Sequence, residues 1–172
     1  MISRLRREWR NYGRDPFSFT LWAILTYRFG AWQLGLRRGP LRWLSYPVFF
    51  GMQKTVEVVS GIWVGMHAEL GEDVHLVHSG NIKINGQAVI GARTSIMHDV
   101  TIGENMGRPG VPTVGEDCLI GAGCKVLGGI TIGDGATLAP NSLVITDVPA
   151  GATAMGVPAR VLPQKTAQRR AG

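Results

Sequence analysis

The chain has 172 residues, enough for one compact domain with a modest appendage, and a formal net charge of +6. Two cysteines, Cys118 and Cys124, are too few for a disulfide framework, and no secretory leader pattern opens the chain, so a reducing cytoplasm is the expected compartment. The longest nearly apolar stretch, around Leu41 to Met52, contains Arg42 and Pro47 and falls short of the ~20 residues that span a bilayer.

Charge divides the chain in two. Residues 1–60 carry ten Lys or Arg against three acids, a balance of +7, whereas residues 61–160 carry five bases and nine acids, a balance of −4. Three further bases, Lys165, Arg169 and Arg170, lie in the tail from Val161. The expected organisation is a helical N-terminal region over 1–60, a repeat domain over 61–160 and a basic tail over 161–172.

In the first region, Leu21, Trp22, Leu25, Phe29 and Trp32 recur at three and four spacing. That pattern predicts one amphipathic helix over Ser18 to Leu36, with Gly39-Pro40 and Pro47 punctuating the stretch of chain after it. Such a helix could cap the exposed end of a repeat stack.

Beyond Ser60 the composition changes, because 18 of the 24 glycines fall between Gly61 and Gly156. A branched aliphatic then recurs every sixth residue: Ile84, Ile90, Ile96 and Ile102, then Val114, Ile120, Val126, Ile132, Leu138 and Val144. Four places after it sits a small or β-branched residue, as at Thr94, Val100, Cys118, Cys124, Ala136 and Ser142. Period six suits neither a helix nor a long alternating strand. It fits short parallel strands around a three-sided prism, one hexad per face, with the aliphatics filling an axial core. Cys118 and Cys124 are then buried structural thiols rather than nucleophiles.

Two interruptions stand out. A two-residue slip between Leu76 and Ile84 falls beside His78, freeing that side chain from the core. Between Ile102 and Val114, residues 104–112 (Glu-Asn-Met-Gly-Arg-Pro-Gly-Val-Pro) read as an extruded loop, a common place for binding residues.

The segments His78-Ser79-Gly80-Asn81-Ile82, Val100-Thr101-Ile102-Gly103, Ile120-Gly121-Ala122-Gly123-Cys124-Lys125-Val126-Leu127-Gly128 and Met155-Gly156-Val157-Pro158-Ala159-Arg160 resemble the hexapeptide-repeat acyltransferases, and within them the serine acetyltransferases. The resemblance implies a mainly β fold, a left-handed parallel β-helix, acting with acetyl-CoA as acyl donor. By it His78 matches the catalytic histidine. Gly121-Ala122 and Ala139-Pro140 match corners along which coenzyme A lies, and Arg160 a position near its nucleotide end. Gly103, Asn105 and Lys125 are further candidate contacts for coenzyme A. A homotrimer is implied, since the family's sites lie between subunits.

The chain also departs from that pattern. Val77 and Trp63 stand where serine acetyltransferases carry carboxylates beside the histidine, and the extruded loop offers Arg108 but no histidine. These departures, with His98 just before Val100-Thr101-Ile102-Gly103, make the resemblance closer to the colanic-acid and exopolysaccharide O-acetyltransferases. The leading expectation is acetyl transfer to a sugar hydroxyl in polysaccharide or cell-envelope synthesis. Serine O-acetylation is the alternative, and a non-catalytic β-helix scaffold is a reading of another class.

Acetyl transfer from a thioester to an alcohol needs a base for the hydroxyl proton, an oxyanion donor and a proton for the leaving thiolate. An imidazole serves the first and last near neutral pH. His78 is the candidate base and His98 its rival, while His98, Asp99 and Arg108 are candidate acceptor contacts. His75 lies three residues from His78, but no Cys or carboxylate set completes a metal site, so no metal is expected. The basic, Trp-rich residues 1–50 have two readings, contact with the inner face of an anionic membrane or packing between subunits. No nucleic acid is expected, because the repeat region is acidic.

Overall fold

The computed structural model describes residue 9, residue 12, residues 15–36 and residues 39–162. The expected tail over 161–172 therefore lies, from residue 163 on, outside the described residues, as do all five arginines before Asp15.

Helix α1 spans Phe19–Gly35 and helix α2 Pro40–Ser60. Ser18 caps α1, its hydroxyl accepting from the Leu21 N–H at 3.4 Å. Pro40 opens α2 at a position where the missing N–H costs nothing. Pro47, expected to punctuate the chain, lies inside α2 instead. The buried side of α1 also differs from the predicted stripe. Leu21, Ile24 and Tyr27 are buried, whereas Trp22 and Trp32 are 45% and 40% exposed.

Gly61 ends α2 at φ 71°, its N–H reaching the Glu57 carbonyl at 2.9 Å. A Cβ there would come within 2.7 Å of the Asn81 backbone nitrogen, so glycine is required on two counts.

From Trp63 onward the chain winds as a parallel β-helix with three faces. The first face stacks β1 (Trp63–Val64), β4 (Lys83–Ile84), β7 (Thr101–Gly103), β10 (Lys125–Leu127) and β13 (Leu143–Val144). The second stacks β2 (Glu69–Leu70), β5 (Val89–Ile90), β8 (Thr113–Val114) and β11 (Thr131–Ile132). The third stacks β3 (His75–Leu76), β6 (Ser95–Ile96), β9 (Leu119–Ile120), β12 (Thr137–Leu138) and β14 (Thr153–Gly156), with β15 (Ala159–Leu162) antiparallel to β14.

The hexad aliphatics from Ile84 to Val144 are each at most 1% exposed, and Thr94, Val100, Cys118, Cys124, Ala136 and Ser142 at most 2%. Burial of each large aliphatic contributes about 1.5–3 kcal/mol, so a period readable in the sequence is also the main source of stability.

The first coil has no predecessor, and side chains from the N-terminal region satisfy its backbone. The Tyr27 hydroxyl donates to the Ala68 carbonyl at 2.6 Å and accepts from the Leu70 N–H at 3.1 Å. Arg28 donates to the carbonyls of Leu70 and Gly71 at 3.1 and 3.0 Å, and Gln53 to that of Val64 at 3.2 Å. Tyr12 accepts from the Leu76 N–H at 3.0 Å. Edge groups that would otherwise template another strand are thereby occupied.

Candidate active site

Strand register lines up Leu76, Ile96, Ile120, Leu138 and Ala154 on the third face. The two residues after Ile96, Ile120 and Leu138 form one corner of the prism, running Met97-His98, Gly121-Ala122 and Ala139-Pro140, whereas Met155-Gly156 continue β14. His98, Ala122 and Pro140 therefore form a single column, one per coil.

The slip near His78 is explained at the head of this column. Gly123 N–H donates to the His98 carbonyl at 3.0 Å and Asn141 N–H to that of Ala122 at 2.7 Å, each joining equivalent corners. The corresponding bond from Asp99 N–H goes to Gly80 at 2.8 Å, not to His78. Gly80 thus takes the regular corner place, and His78-Ser79 are the two inserted residues. The His78 ring lies against that of His98, centroids 5.8 Å apart, so the two histidines separated by twenty positions share one corner.

His75, on β3, packs edge-on against the Tyr12 ring at 5.0 Å. Burial, and secondarily the neighbouring His78, hold its pKa below the ordinary histidine value, so His75 is neutral at pH 7. A neutral His75 adds no charge beside His78.

Asp99 does not orient His78. Its carboxylate accepts from Asn81 Nδ2 at 2.9 Å and from Lys125 Nζ at 3.2 Å, while Lys125 also donates to the Asp99 carbonyl at 2.7 Å. The Lys125 hydrogen bond first, and the Asn81 bond next, hold the Asp99 carboxyl below its usual value. Lys125 and Asp99, expected to touch different substrates, are partners that lace three successive coils together. Asn81 was not singled out in the sequence. Its signal was register, because Asn81, Asp99, Gly123 and Asn141 all hold φ between 48° and 74°, the left-handed region that favours Asn, Asp and Gly.

The remaining candidates separate into two groups. Gly121, Ala122, Ala139 and Pro140 continue the histidine column, and Arg160 pairs with Met155 at its far end. Gly103 ends β7 at the other edge of the first face, and Asn105 and Arg108 lie past it. Gly103 accepts the Gly128 N–H at 2.9 Å, and Asn105 Oδ1 accepts the Gly107 N–H at 3.1 Å. Arg108 bonds the Ile145 carbonyl at 3.4 Å and pairs with Asp147 at 3.6 Å. Within one protomer the structure does not bring Arg108 to His78.

Among the described residues no group of three His, Cys, Asp or Glu is placed to hold a metal ion. Burial pushes the Cys118 thiol up and the Cys124 thiol up to about 12, so neither is a thiolate at neutral pH.

The column runs from His78 and His98 past the small residues Gly121, Ala122 and Ala139, and Arg160, paired with Met155, lies beyond its far end. Residues 112–146 match the family description "Bacterial transferase hexapeptide (six repeats)". Serine acetyltransferase of Escherichia coli strain K12 is 35% identical over 143 residues, 81% of this chain and 50% of that protein. The chain is a hexapeptide-repeat β-helix similar to serine acetyltransferases. Among solved structures, a serine acetyltransferase complex with CoA has a TM-score of 0.73 at 30% identity, covering 86% of this chain and 58% of that one. The Neisseria gonorrhoeae serine acetyltransferase in complex with serine gives 0.74 at 28% identity, with 92% and 67% covered. The chain spans 50% or less of the length of the first curated relatives it matches. Relatives that are serine acetyltransferases favour the serine alternative over the polysaccharide expectation.

Proposed function

We propose that this protein is an acetyl-CoA-dependent serine O-acetyltransferase with His78 as its general base. The observation that carries the reading is the His78-Ser79 insertion, which sets His78 over His98 at the head of the small-residue column, in a chain similar to serine acetyltransferases over most of its length.

In this reading the His78 imidazole accepts the serine hydroxyl proton as the hydroxyl oxygen forms its bond to the thioester carbonyl. The carbon–sulfur bond then breaks, and the same imidazole returns the proton to the departing thiolate. Acetyl-CoA supplies the activated acyl group and lies along Ala122 and Pro140, with Arg160 toward its phosphates. His98 flanks the base and contacts the acceptor. Positioned general-base catalysis is worth about 10² to 10⁴ in rate.

A second reading, acetylation of a sugar hydroxyl, is favoured by one specific observation. The groups available to grip a free amino acid are reduced, because Arg108 is engaged by Asp147 and Val77 precedes the histidine where a carboxylate would stand. A site for a zwitterion normally supplies opposing charges.

The test is thiol release from acetyl-CoA by the purified chain with serine and with a panel of sugars, alongside His78→Ala. Serine-dependent release that falls about 10²- to 10⁴-fold in His78→Ala, with coenzyme A binding retained by calorimetry, supports the proposal. Release with sugars alone replaces serine by the second reading, and absence of coenzyme A binding removes both.

A further inference from the structure

We infer that Lys125 is a positioning residue for the His78 base, acting through the backbone of the histidine corner rather than by touching an imidazole. The inference rests on the reading of His78 as general base and deepens it. A base that works by proximity must be held in place, and the insertion that frees His78 from the core also takes it out of the regular ladder. Val77 N–H donates to the Ile96 carbonyl at 2.9 Å before the insertion, and the Gly80 carbonyl accepts the Asp99 N–H at 2.8 Å after it. Between these two bonds stand His78 and Ser79. Their exit is Gly80, at φ 124°, a backbone conformation open to glycine that fixes little by itself. Gly80 also lies directly against the second histidine, since a Cβ on it would be 3.6 Å from His98 Cβ.

Lys125 closes that exit from two coils away. Its ammonium donates to the Asp99 carbonyl at 2.7 Å and to Asp99 Oδ1 at 3.2 Å, and the same Oδ1 accepts from Asn81 Nδ2 at 2.9 Å. One cation thus fixes the residue after His98 and, through the Asp99 carboxylate, the residue after Gly80. On the other side Gly123 N–H holds the His98 carbonyl at 3.0 Å. An exposed ion pair by itself adds little, but the shorter Lys125 bond goes to a backbone carbonyl and so acts on the corner itself.

Placement in the stack singles this lysine out. Register along the first face puts Lys83, Thr101, Lys125 and Leu143 in one outward row. Leu143 stands to Gly123 as Lys125 stands to Asp99, and its side chain has no donor. Lys83 pairs with Glu57 at 3.1 Å. The lysine that laces a corner therefore faces the corner where the insertion breaks the ladder.

The test compares Lys125→Met with the wild type and with Lys83→Met, which removes an equally exposed ammonium from the same row, 37% against 36%. Asn81→Gly, which keeps the left-handed backbone at φ 48° and removes one bond of the network, is the second variant. The full chain with isotope-labelled histidine is first studied by NMR without substrates. The expected result is a nuclear Overhauser cross-peak between the His78 and His98 rings in wild type and Lys83→Met, weakened or lost in Lys125→Met and weakened in Asn81→Gly. In the acetyl-transfer assay, kcat of Lys125→Met should fall by roughly 10- to 100-fold, the scale of a misplacement of about 1 Å, with KM and coenzyme A affinity unchanged. Absence of the cross-peak from wild type overturns the inference. So does an undiminished cross-peak in Lys125→Met, or in Asn81→Gly where Lys125→Met does not fold. Weaker coenzyme A binding with kcat unchanged would also overturn it, giving Lys125 to the cofactor. If the wild type transfers no acetyl group to any acceptor, the reading of His78 as base fails, and the cross-peak alone decides whether Lys125 positions the ring.

Discussion

Gly121→Ala should destabilise the stack through a single methyl group. The backbone at Gly121 is not left-handed, so alanine can adopt its conformation, and space alone decides the outcome. The added Cβ would lie 2.6 Å from Pro140 N, 2.7 Å from Leu138 O and 2.9 Å from Ala139 C, all backbone atoms of the next coil. Ordinary contact begins near 3.4 Å, so the two corners must separate by roughly 0.5–1 Å, stretching the Gly121 N–H to Leu138 O and Asn141 N–H to Ala122 O bonds, now 2.9 and 2.7 Å. Overpacking of this kind costs about 1–3 kcal/mol, and a weakened backbone bond adds about 1 kcal/mol. At about 2–4 °C per kcal/mol for a chain of this size, the melting temperature should fall by roughly 4–16 °C. Gly86→Ala is the control, because a Cβ there meets nothing nearer than 3.7 Å. Both variants would be followed by differential scanning calorimetry. A Gly121→Ala melt matching wild type, with Gly86→Ala equal or lower, would refute the account of close coil contact.

Tyr27→Phe should cost about 1–3 kcal/mol in urea unfolding, because it strips the hydroxyl from the buried Ala68 carbonyl and Leu70 N–H at once; a loss below 0.5 kcal/mol, as an order of magnitude, would mean water replaces it. Cys124 gives a pH prediction. Its folded-state pKa of about 12 lies above the reference of 9.0, so its contribution is intact below about pH 9 and is lost as pH rises toward 12, by up to about 1.4 kcal/mol per unit. Cys124→Ala should therefore melt less far below wild type at pH 10.5 than at pH 8, and an unchanged gap would show that the thiol ionises without unfolding.

The core was legible because a six-residue period leaves few geometries open, and each aliphatic from Ile84 to Val144 is buried where that period put it. The position of His78 outside the core was legible for the same reason, as a break in a strict count. Partnerships between coils were not. Asp99 with Lys125 and Arg108 with Asp147 join residues 26 and 39 positions apart, and nothing local to either residue announces its partner. Likewise the spacing of Trp22 and Trp32 suggested burial, but α1 is apolar around much of its circumference, so periodicity could not say which side meets the β-helix. Pro47 within α2 shows tertiary context overriding a local breaker.

In a solenoid each coil leans on its neighbours, and the terminal coil, with one neighbour, is the first to fray. The corner bearing His78 belongs to that terminal coil. Tyr12 bonds the Leu76 N–H two residues before it and packs against His75, standing in for the missing coil. Tyr12 therefore acts as a substitute neighbour that holds in place the strand leading to the proposed base. Amide exchange around His75 to Asn81 should report its attachment more sharply than any global melt, and a chain shortened past Tyr12 should lose order at this corner while the distant coils stay closed.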